Sequence, residues 1–340
     1  MNTSGQAVWG VLSTANIALA QVVPALQKSD RLVVGAISSR DGDRAAEAAR
    51  SLGIARAYGS YEALLADPQI DIVYNPLPNH LHVPWTLKAL EAGKHVLCEK
   101  PLALSAAEAA TLSEASQRTG KNVREAFMIR HHPQWLRARE LAQGGALGEV
   151  RAIHVSFCYD NRDPKNVRNQ REIGGGALLD IGCYAVAVGR FIFGGEPERV
   201  VADVDRDPDF GTDRLTSAIM VFSGGRRLVF TCATQLVRSQ EVQIIGTTGR
   251  VLIPVPFNQP PDREARLLID DGTVLKGGAA TIDTFRAVDQ YLMQAESFSD
   301  LCMTGDVDPY GLQDAVRNMS VIDALWESEQ TRGWSAVKAT

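Results

Sequence analysis

Three stretches of the chain carry residue types and spacings suited to chemistry. The first is GKHVLCEKP, residues 93–101, in which an apolar run, His95–Cys98, ends on an acid, a base and a rigid turn: Glu99, Lys100 and Pro101. In open α/β sheets, ligands bind outside the carboxyl ends of strands, and proline fixes the backbone after Lys100. The plainer reading is a surface Glu–Lys pair beside a helix start. The second is Gly174-Gly175-Gly176-Ala177-Leu178-Leu179-Asp180. A glycine turn there opens a helix on which Asp180 and Tyr184, four residues apart, share a face. A carboxylate inside an apolar run needs a partner. On the residues alone, the better reading of Asp180 is a first-turn acid favoured by the helix dipole, with Tyr184 an ordinary core residue. The third is a polar loop with Asn161 and Arg168, which suit a polyhydroxylated ligand or plain solvent.

Two earlier turns suit a dinucleotide. Ser13-Thr14-Ala15-Asn16-Ile17-Ala18 follows an apolar run and puts small residues, Ser13, Ala15 and Ala18, where G-x-G-x-x-G has glycines. A pyrophosphate can approach such a backbone at a helix N-terminus, although an ordinary small-residue turn reads the same way. The next apolar run ends at Ser38-Ser39-Arg40, with Arg44 one helical turn on. NAD-binding folds place an acid here for the ribose 2′-hydroxyl. A guanidinium instead bonds a 2′-phosphate in fork geometry, which favours NADP over NAD. The alternative is a solvated Arg40 beside Asp41 and Asp43. A later loop, Asn75-Pro76-Leu77-Pro78-Asn79-His80-Leu81-His82, is stiffened by two prolines and offers Asn79 and His82. No cysteine or carboxylate cluster completes a metal site.

The elements needed to position these groups follow from periodicity. Apolar runs at Ala7–Leu12, Leu32–Ile37, Ile70–Tyr74, His95–Cys98 and Asn122–Phe127 alternate with helical patterns at Ile17–Gln27, Asp43–Leu52, Val83–Ala92 and Ser105–Thr119. Such alternation predicts a doubly wound parallel sheet covered on both faces, an α/β domain over residues 1–126. Ser105 and Glu108 form a capping box. Beyond Phe127 the pattern becomes α+β. A helix over Pro133–Gln143, a long strand Glu149–Tyr159 and a helix Ala177–Phe193 precede β-type runs from Arg199 to Ile269, including Arg227–Gln235 and Glu241–Gly246. Two terminal helices, near Phe285–Met303 and Tyr310–Glu327, follow. Short turns between those runs predict antiparallel pairing. The second domain, residues 127–340, is thus a mostly antiparallel open sheet whose other face can be covered by a second subunit.

At 340 residues and 45% apolar composition the chain can bury two cores. A formal charge of −5 gives no broad attraction to nucleic acid or anionic membrane. Five scattered cysteines without a CxxC pair suit reduced thiols in the cytoplasm. The first residues carry neither a signal-peptide pattern nor a membrane-spanning run.

Taken together, Trp9–Ala15, Asn75–His82, Glu99–Pro101, Glu125–Pro133 and Gly174–Tyr184 resemble, in order along the chain, the motifs of the glucose–fructose oxidoreductase / inositol dehydrogenase / rhizopine catabolism (Gfo/Idh/MocA) family. The tyrosine that ends the last motif is similar to the branch containing glucose–fructose oxidoreductase, dimeric trans-dihydrodiol dehydrogenase, NADP-linked xylose dehydrogenases and sugar-nucleotide ketoreductases. The resemblance implies a Rossmann-type first domain and an NADP-dependent oxidoreductase of a pyranose such as D-xylose or D-glucose. A dihydrodiol dehydrogenase, a keto-sugar reductase and a non-catalytic NADP-binding sensor are the alternatives. It implies Lys100 beside the nicotinamide, Tyr184 as acid/base, Asp180 orienting the reacting group or supporting Lys100, and Glu99 and Arg130 lining the nicotinamide end. Residues 13–17, Ser39, Arg40, Arg44, Leu77, Pro78, Asn79 and His82 complete the expected cofactor contacts. Asn161 and Arg168 are the expected substrate contacts. The expected assembly is a homodimer or homotetramer through the second sheet.

Overall fold

The computed structural model describes residues 5–274 and 281–338, so the outermost residues of both expected domains, 1–4 and 339–340, lie outside the described residues. The chain forms two compact units: 1–128 with 291–316, and 129–290 with 317–340. The division is discontinuous, whereas the pattern reading runs 127–340 as one piece.

The first unit is built on six strands: β1 (Ala7–Leu12), β2 (Leu32–Ser38), β3 (Arg56–Tyr58), β4 (Ile72–Asn75), β5 (His95–Cys98) and β6 (Val123–Glu125). Their order is β3-β2-β1-β4-β5-β6 and every pairing is parallel. The chain reverses its direction of winding between β1 and β4, the switch point at which doubly wound sheets open a ligand crevice. Strands buried on both faces read as unbroken apolar runs, and all six residues of β1 are buried. The helix predicted over Ile17–Gln27 is instead a wide π-type turn, Ala18–Val22, followed by one α-turn, Val23–Leu26. Pro24 lies in the first turn of the α segment, where its missing N–H costs nothing. The Ser105 hydroxyl accepts the Glu108 N–H at 3.1 Å, and the Glu108 carboxylate reaches back to the Leu104 N–H at 2.8 Å. That helix breaks at Thr111 into Ala106–Ala110 and Leu112–Thr119. The strand β3 and the helix Tyr61–Leu65 are too short to show a period and are absent from the pattern reading.

Segment 291–316 joins this unit through its core. Phe298 packs edge-on against Trp9 at 6.2 Å, and the Trp9 indole N–H donates to Ser299 at 3.2 Å. The Arg124 guanidinium grips Asp308 with two bonds, 2.7 and 2.9 Å, and also donates to Ser297.

The second unit carries β7 (Val150–Asp160), β8 (Pro197–Arg206), β9 (Asp213–Phe222), β10 (Arg227–Ala233), β11 (Gln235–Gly246), β12 (Arg250–Ile253), β13 (Ala265–Asp270), β14 (Thr281–Phe285) and β15 (Ser335–Ala336). Their order is β14-β13-β12-β11-β7-β10-β9-β8-β15. The sheet is mostly antiparallel, with one exception. The runs at Arg227–Gln235 and Glu241–Gly246 do not pair with each other as their closeness predicts. The long strand β7 lies between them, parallel to β10 and antiparallel to β11. Only Thr234 links the two across its end, and both its backbone groups are bonded, to Arg214 and Asn161. One face of the sheet carries the helix Cys183–Phe193, every residue of which is buried. The stretch Arg171–Phe193 is long and apolar enough to cross a membrane by composition, but its apolar window is wholly buried in the fold.

The buried Arg124–Asp308 pair yields a stability prediction. Arg124→Ala leaves a carboxylate that is 5% exposed without its cation, which costs about 3–5 kcal/mol. Urea unfolding should show that loss, and Arg124→Met with Asp308→Leu should recover most of it.

Candidate active site

The predicted cofactor residues of the first unit gather at the carboxyl ends of four neighbouring strands, β2, β1, β4 and β5. After β1, Ser13 adopts φ +71, the left-handed conformation that the first glycine of a dinucleotide turn takes. Its hydroxyl accepts the Ala15 N–H at 3.2 Å. The first helical bond beyond it runs from Leu19 N–H to Ala15 O at 3.1 Å. The amides of Asn16, Ile17 and Ala18 therefore precede the helical ladder, as an anion site at a helix N-terminus requires. After β2, the Ser39 hydroxyl accepts the Asp41 N–H, and the Asp41 carboxylate caps the following helix through Asp43 and Arg44 N–H. Arg40 and Arg44 are exposed, and both bear on the buried Tyr61 hydroxyl. Burial pushes that phenol up, and the two guanidiniums partly offset the rise.

Lys100 stands on a turn tied from three sides. The Tyr74 hydroxyl, from β4, donates to Glu99 at 2.6 Å. Burial, reinforced by the Glu99 charge, holds the Tyr74 phenol well above its ordinary range. Glu99 N–H donates to Asn75 O at 3.0 Å, and Lys100 N–H lies 3.3 Å from the Glu99 carboxylate. The Lys100–Pro101 bond is cis. Beyond it, the Leu102 N–H donates to Glu125, from β6, at 2.8 Å. The third tie is His82, whose Nδ1 lies 2.7 Å from Pro101 O and whose Nε2 lies 2.6 Å from Leu77 O. His82 is 1% exposed. Its ring is spent on two carbonyls, so the expected cofactor contact is corrected: His82 staples the Leu77–Asn79 loop to the Lys100 turn. Leu77 is buried, while Pro78, Asn79, Glu99 and Lys100 are half-buried.

The second unit resolves the open readings of Asp180. Its Oδ2 accepts the Tyr159 hydroxyl at 2.5 Å and Arg168 Nε at 2.9 Å. Burial and then the Asp180 charge push the Tyr159 phenol above its ordinary range. Asp180 is thus the anchor of a buried polar group, not a solvated first-turn acid. The helix is wide-turned over Leu178–Gly182 and becomes regular at Cys183. Such π-type insertions concentrate at functional sites. Tyr184 is 5% exposed, edge-on to Phe157 at 5.7 Å and tilted against Phe257 at 5.2 Å.

Asn161 shapes its own loop: its carbonyl groups accept from Asn169, its side chain also takes the Asp163 N–H, and the residue is half-buried. Arg168 turns its Nε inward to Asp180 yet keeps a side chain 42% exposed. Arg130, 4% exposed, lies on a short helical turn, Met128–His131. Tyr74, Glu125 and Tyr159 escape sequence reasoning, because each acts through a partner remote in sequence.

Comparison with known proteins gives the family. The oxidoreductase family profile with an NAD-binding Rossmann fold matches residues 9–127, and the GFO/IDH/MocA C-terminal domain matches 135–252. An uncharacterised oxidoreductase of Rhizobium meliloti, ORF334, is 46% identical over 97% of this chain and 98% of its own. The chain belongs to the GFO/IDH/MocA oxidoreductase family. Within that family, D-xylose 1-dehydrogenase (NADP(+)) 2 of Haloferax volcanii is 37% identical over 95% of this chain and 98% of its own. A 3-ketoreductase from Actinomadura kijaniata, solved with NADP and TDP-benzene, superposes with a TM-score of 0.89 at 30% identity, covering 95% of this chain and 98% of that one. This GFO/IDH/MocA protein is accordingly an NAD(P)-dependent dehydrogenase or reductase acting on a CH–OH group.

The two most buried histidines give its stability a pH dependence. Burial pushes His82 and His132 down to about 4 from an ordinary 6.5. A histidine whose pKa is depressed by folding takes up a proton more readily when unfolded. Its contribution is whole above 6.5 and is lost as pH falls toward 4. Thermal unfolding should weaken by about 2 kcal/mol per histidine between pH 7 and pH 5, and His82→Asn should remove its share of that slope.

Proposed function

We propose that this oxidoreductase transfers hydride between NADP and a carbinol or carbonyl carbon of a sugar, a pyranose such as D-xylose or D-glucose. The observation that carries the cofactor choice is the end of β2. Asp41 is consumed as a helix cap, and Arg40 and Arg44, both exposed, bear on the same Tyr61 hydroxyl just beyond Ser39 in the chain. A 2′-phosphate suits two guanidiniums and a hydroxyl. Residues 13–17 fit the pyrophosphate, because the Ser13 turn has the backbone conformation and leading amides that an anion needs. Pro78, Asn79, Glu99 and Arg130 would flank the nicotinamide end.

When bound, the nicotinamide supplies the hydride acceptor or donor. The chain supplies the proton chemistry. Tyr184 Oη takes the proton from the substrate hydroxyl in oxidation and returns it to the carbonyl in reduction. Lys100 Nζ favours the phenolate and polarises the carbonyl. Asp180, fixed by Tyr159 and Arg168, orients the reacting group. Support for the pair comes from the 3-ketoreductase. Its solved variants replace a lysine and a tyrosine as far apart along that chain as Lys100 and Tyr184 are along this one.

In this reading the first unit binds nucleotide, the second takes substrate and self-associates through its open sheet face, and the enzyme works in the cytoplasm. Reduction of a keto-sugar or oxidation of a cyclic diol is the second reading. It is favoured by that ketoreductase and by the trans-1,2-dihydrobenzene-1,2-diol dehydrogenase of Xenopus tropicalis, 37% identical over 74% of this chain.

NADP reduction across a panel of sugars and diols tests the reading, and tight NADP binding with no turnover on any of them would favour a sensor instead. Tyr184→Phe should lower turnover by about 10²–10⁴-fold with NADPH binding intact; near-normal turnover refutes the acid/base role. Arg40→Ala should weaken NADPH about tenfold or more, measured by fluorescence titration, and leave NADH nearly unchanged. Equal weakening of both removes the phosphate contact.

A further inference from the structure

The function proposed above makes no use of the deeply buried carboxylate of Asp213. Asp213 opens β9, is 1% exposed, and faces the start of the helix that carries Asp180 and Tyr184. Its Oδ2 accepts the Leu178 N–H at 2.6 Å and the Thr216 hydroxyl at 3.2 Å. Its Oδ1 stands where a Cβ on Gly176 would have to go, and Gly176 has φ +118. The acid fills the volume that the glycine leaves open. The neighbouring Gly175 is as confined: a Cβ there would lie 2.6 Å from Arg168 O and 2.7 Å from Gln170 O. Gly175 and Gly176 N–H donate to those same two carbonyls, at 3.0 and 2.9 Å. The glycine turn is therefore fastened on one side to the loop that supplies Arg168 and on the other to β9.

We propose that Asp213 is a positioning residue for the reaction: by holding the Leu178 amide it sets the place of Asp180 and Tyr184. The proposal rests on the acid/base reading of Tyr184. Its physical basis is the wide turn over Leu178–Gly182, whose hydrogen bonding departs from the regular α ladder. Alignment of such a turn depends on outside anchors, and Asp213 is the anchor at its first residue. At its last residue, Gly182 lies so close to β10 that a Cβ would sit 3.1 Å from Cys232 Sγ. Burial pushes the Asp213 carboxyl up to about 7, and the Leu178 and Thr216 hydrogen bonds and the Arg206 charge only partly offset this. Cys232, on β10, also feels its charge.

The test compares Asp213→Ala, which removes the acceptor, with Asp213→Asn, which keeps one oxygen for the Leu178 N–H. Misplacement on the scale of an ångström costs about 10²-fold, so Asp213→Ala should lower kcat by about 10–100-fold. Substrate KM and NADPH affinity should change by less than about twofold, an effect on orientation and not on binding. Asp213→Asn should recover most of kcat. Amide exchange over residues 177–184 should rise in the alanine variant and return toward wild type in the asparagine one. Should Asp213→Ala fail to fold, Thr216→Val takes its place. It deletes one hydroxyl bond to the carboxylate and should lower kcat severalfold at unchanged NADPH affinity. Wild-type kcat in Asp213→Ala or Thr216→Val overturns the proposal. So does a uniform fall in kcat, NADPH affinity and Tm that asparagine does not rescue, which marks a purely structural role. Failure of the underlying reading registers separately, as full turnover in Tyr184→Phe.

Discussion

An amine at the tip of a four-carbon stem contributes to a reaction only when its backbone is held still, and the turn bearing Lys100 meets that requirement. Two strands and a helix converge on the turn: Tyr74 on Glu99, Asn75 on the Glu99 amide, His82 on Pro101 and Glu125 on Leu102. Each tie joins a group buried away from water to a matching donor or acceptor, which is the condition under which such groups stay stable in a core. The ties also explain the order of the elements. A parallel sheet brings the carboxyl ends of β4, β5 and β6 side by side, so three motifs remote in sequence close on one point. Lysine is thereby offered from a base with little freedom left to lose.

The second unit solves the same problem differently. Its key helix begins on three consecutive glycines. The missing side chains let carbonyls of the preceding loop and the Asp213 carboxylate approach the backbone directly. Asp180 is then satisfied by Tyr159, at the end of β7, and by Arg168, from that loop. Placement here comes from close backbone approach, where the first unit uses side-chain ties. The aromatic packing of Phe157, Phe257 and Tyr184 adds stiffness on the apolar side.

What the sequence discloses follows the range of the forces involved. Buried parallel strands such as Ala7–Leu12 and the capping box at Ser105 are local signals and lie where they are expected. The pairing of β10 and β11 with β7 is not local. Two β-type runs separated by a short link, Arg227–Gln235 and Glu241–Gly246, read as a hairpin, and nothing nearby reveals that a strand far earlier in the chain takes the place between them. The candidate site divides in the same way. Lys100 and Tyr184 are proposed from motif context. His82 has the composition of a ligand contact, yet both its ring nitrogens are spent on carbonyls of the protein itself, a fact visible only in three dimensions. The attachment of residues 291–316 to the first unit depends on Arg124 and Asp308, which are invisible to each other along the chain.

The turn after β1 shows why a motif can fail as a string and hold as a structure. The pattern asks for glycine because the first position needs a left-handed backbone, which costs other residues about 1–2 kcal/mol. Ser13 occupies that conformation, and its hydroxyl accepts the Ala15 N–H. A neutral hydrogen bond of this kind contributes about 0.5–1.5 kcal/mol, comparable to the backbone cost. Glycine would relieve the strain, lose the bond, and add freedom to the unfolded chain worth about 0.4–1 kcal/mol. The three terms nearly cancel, so serine is as good a solution as glycine for stability. For an incoming anion it differs, because the Ser13 hydroxyl fixes the Ala15 amide that a glycine turn would leave to the ligand.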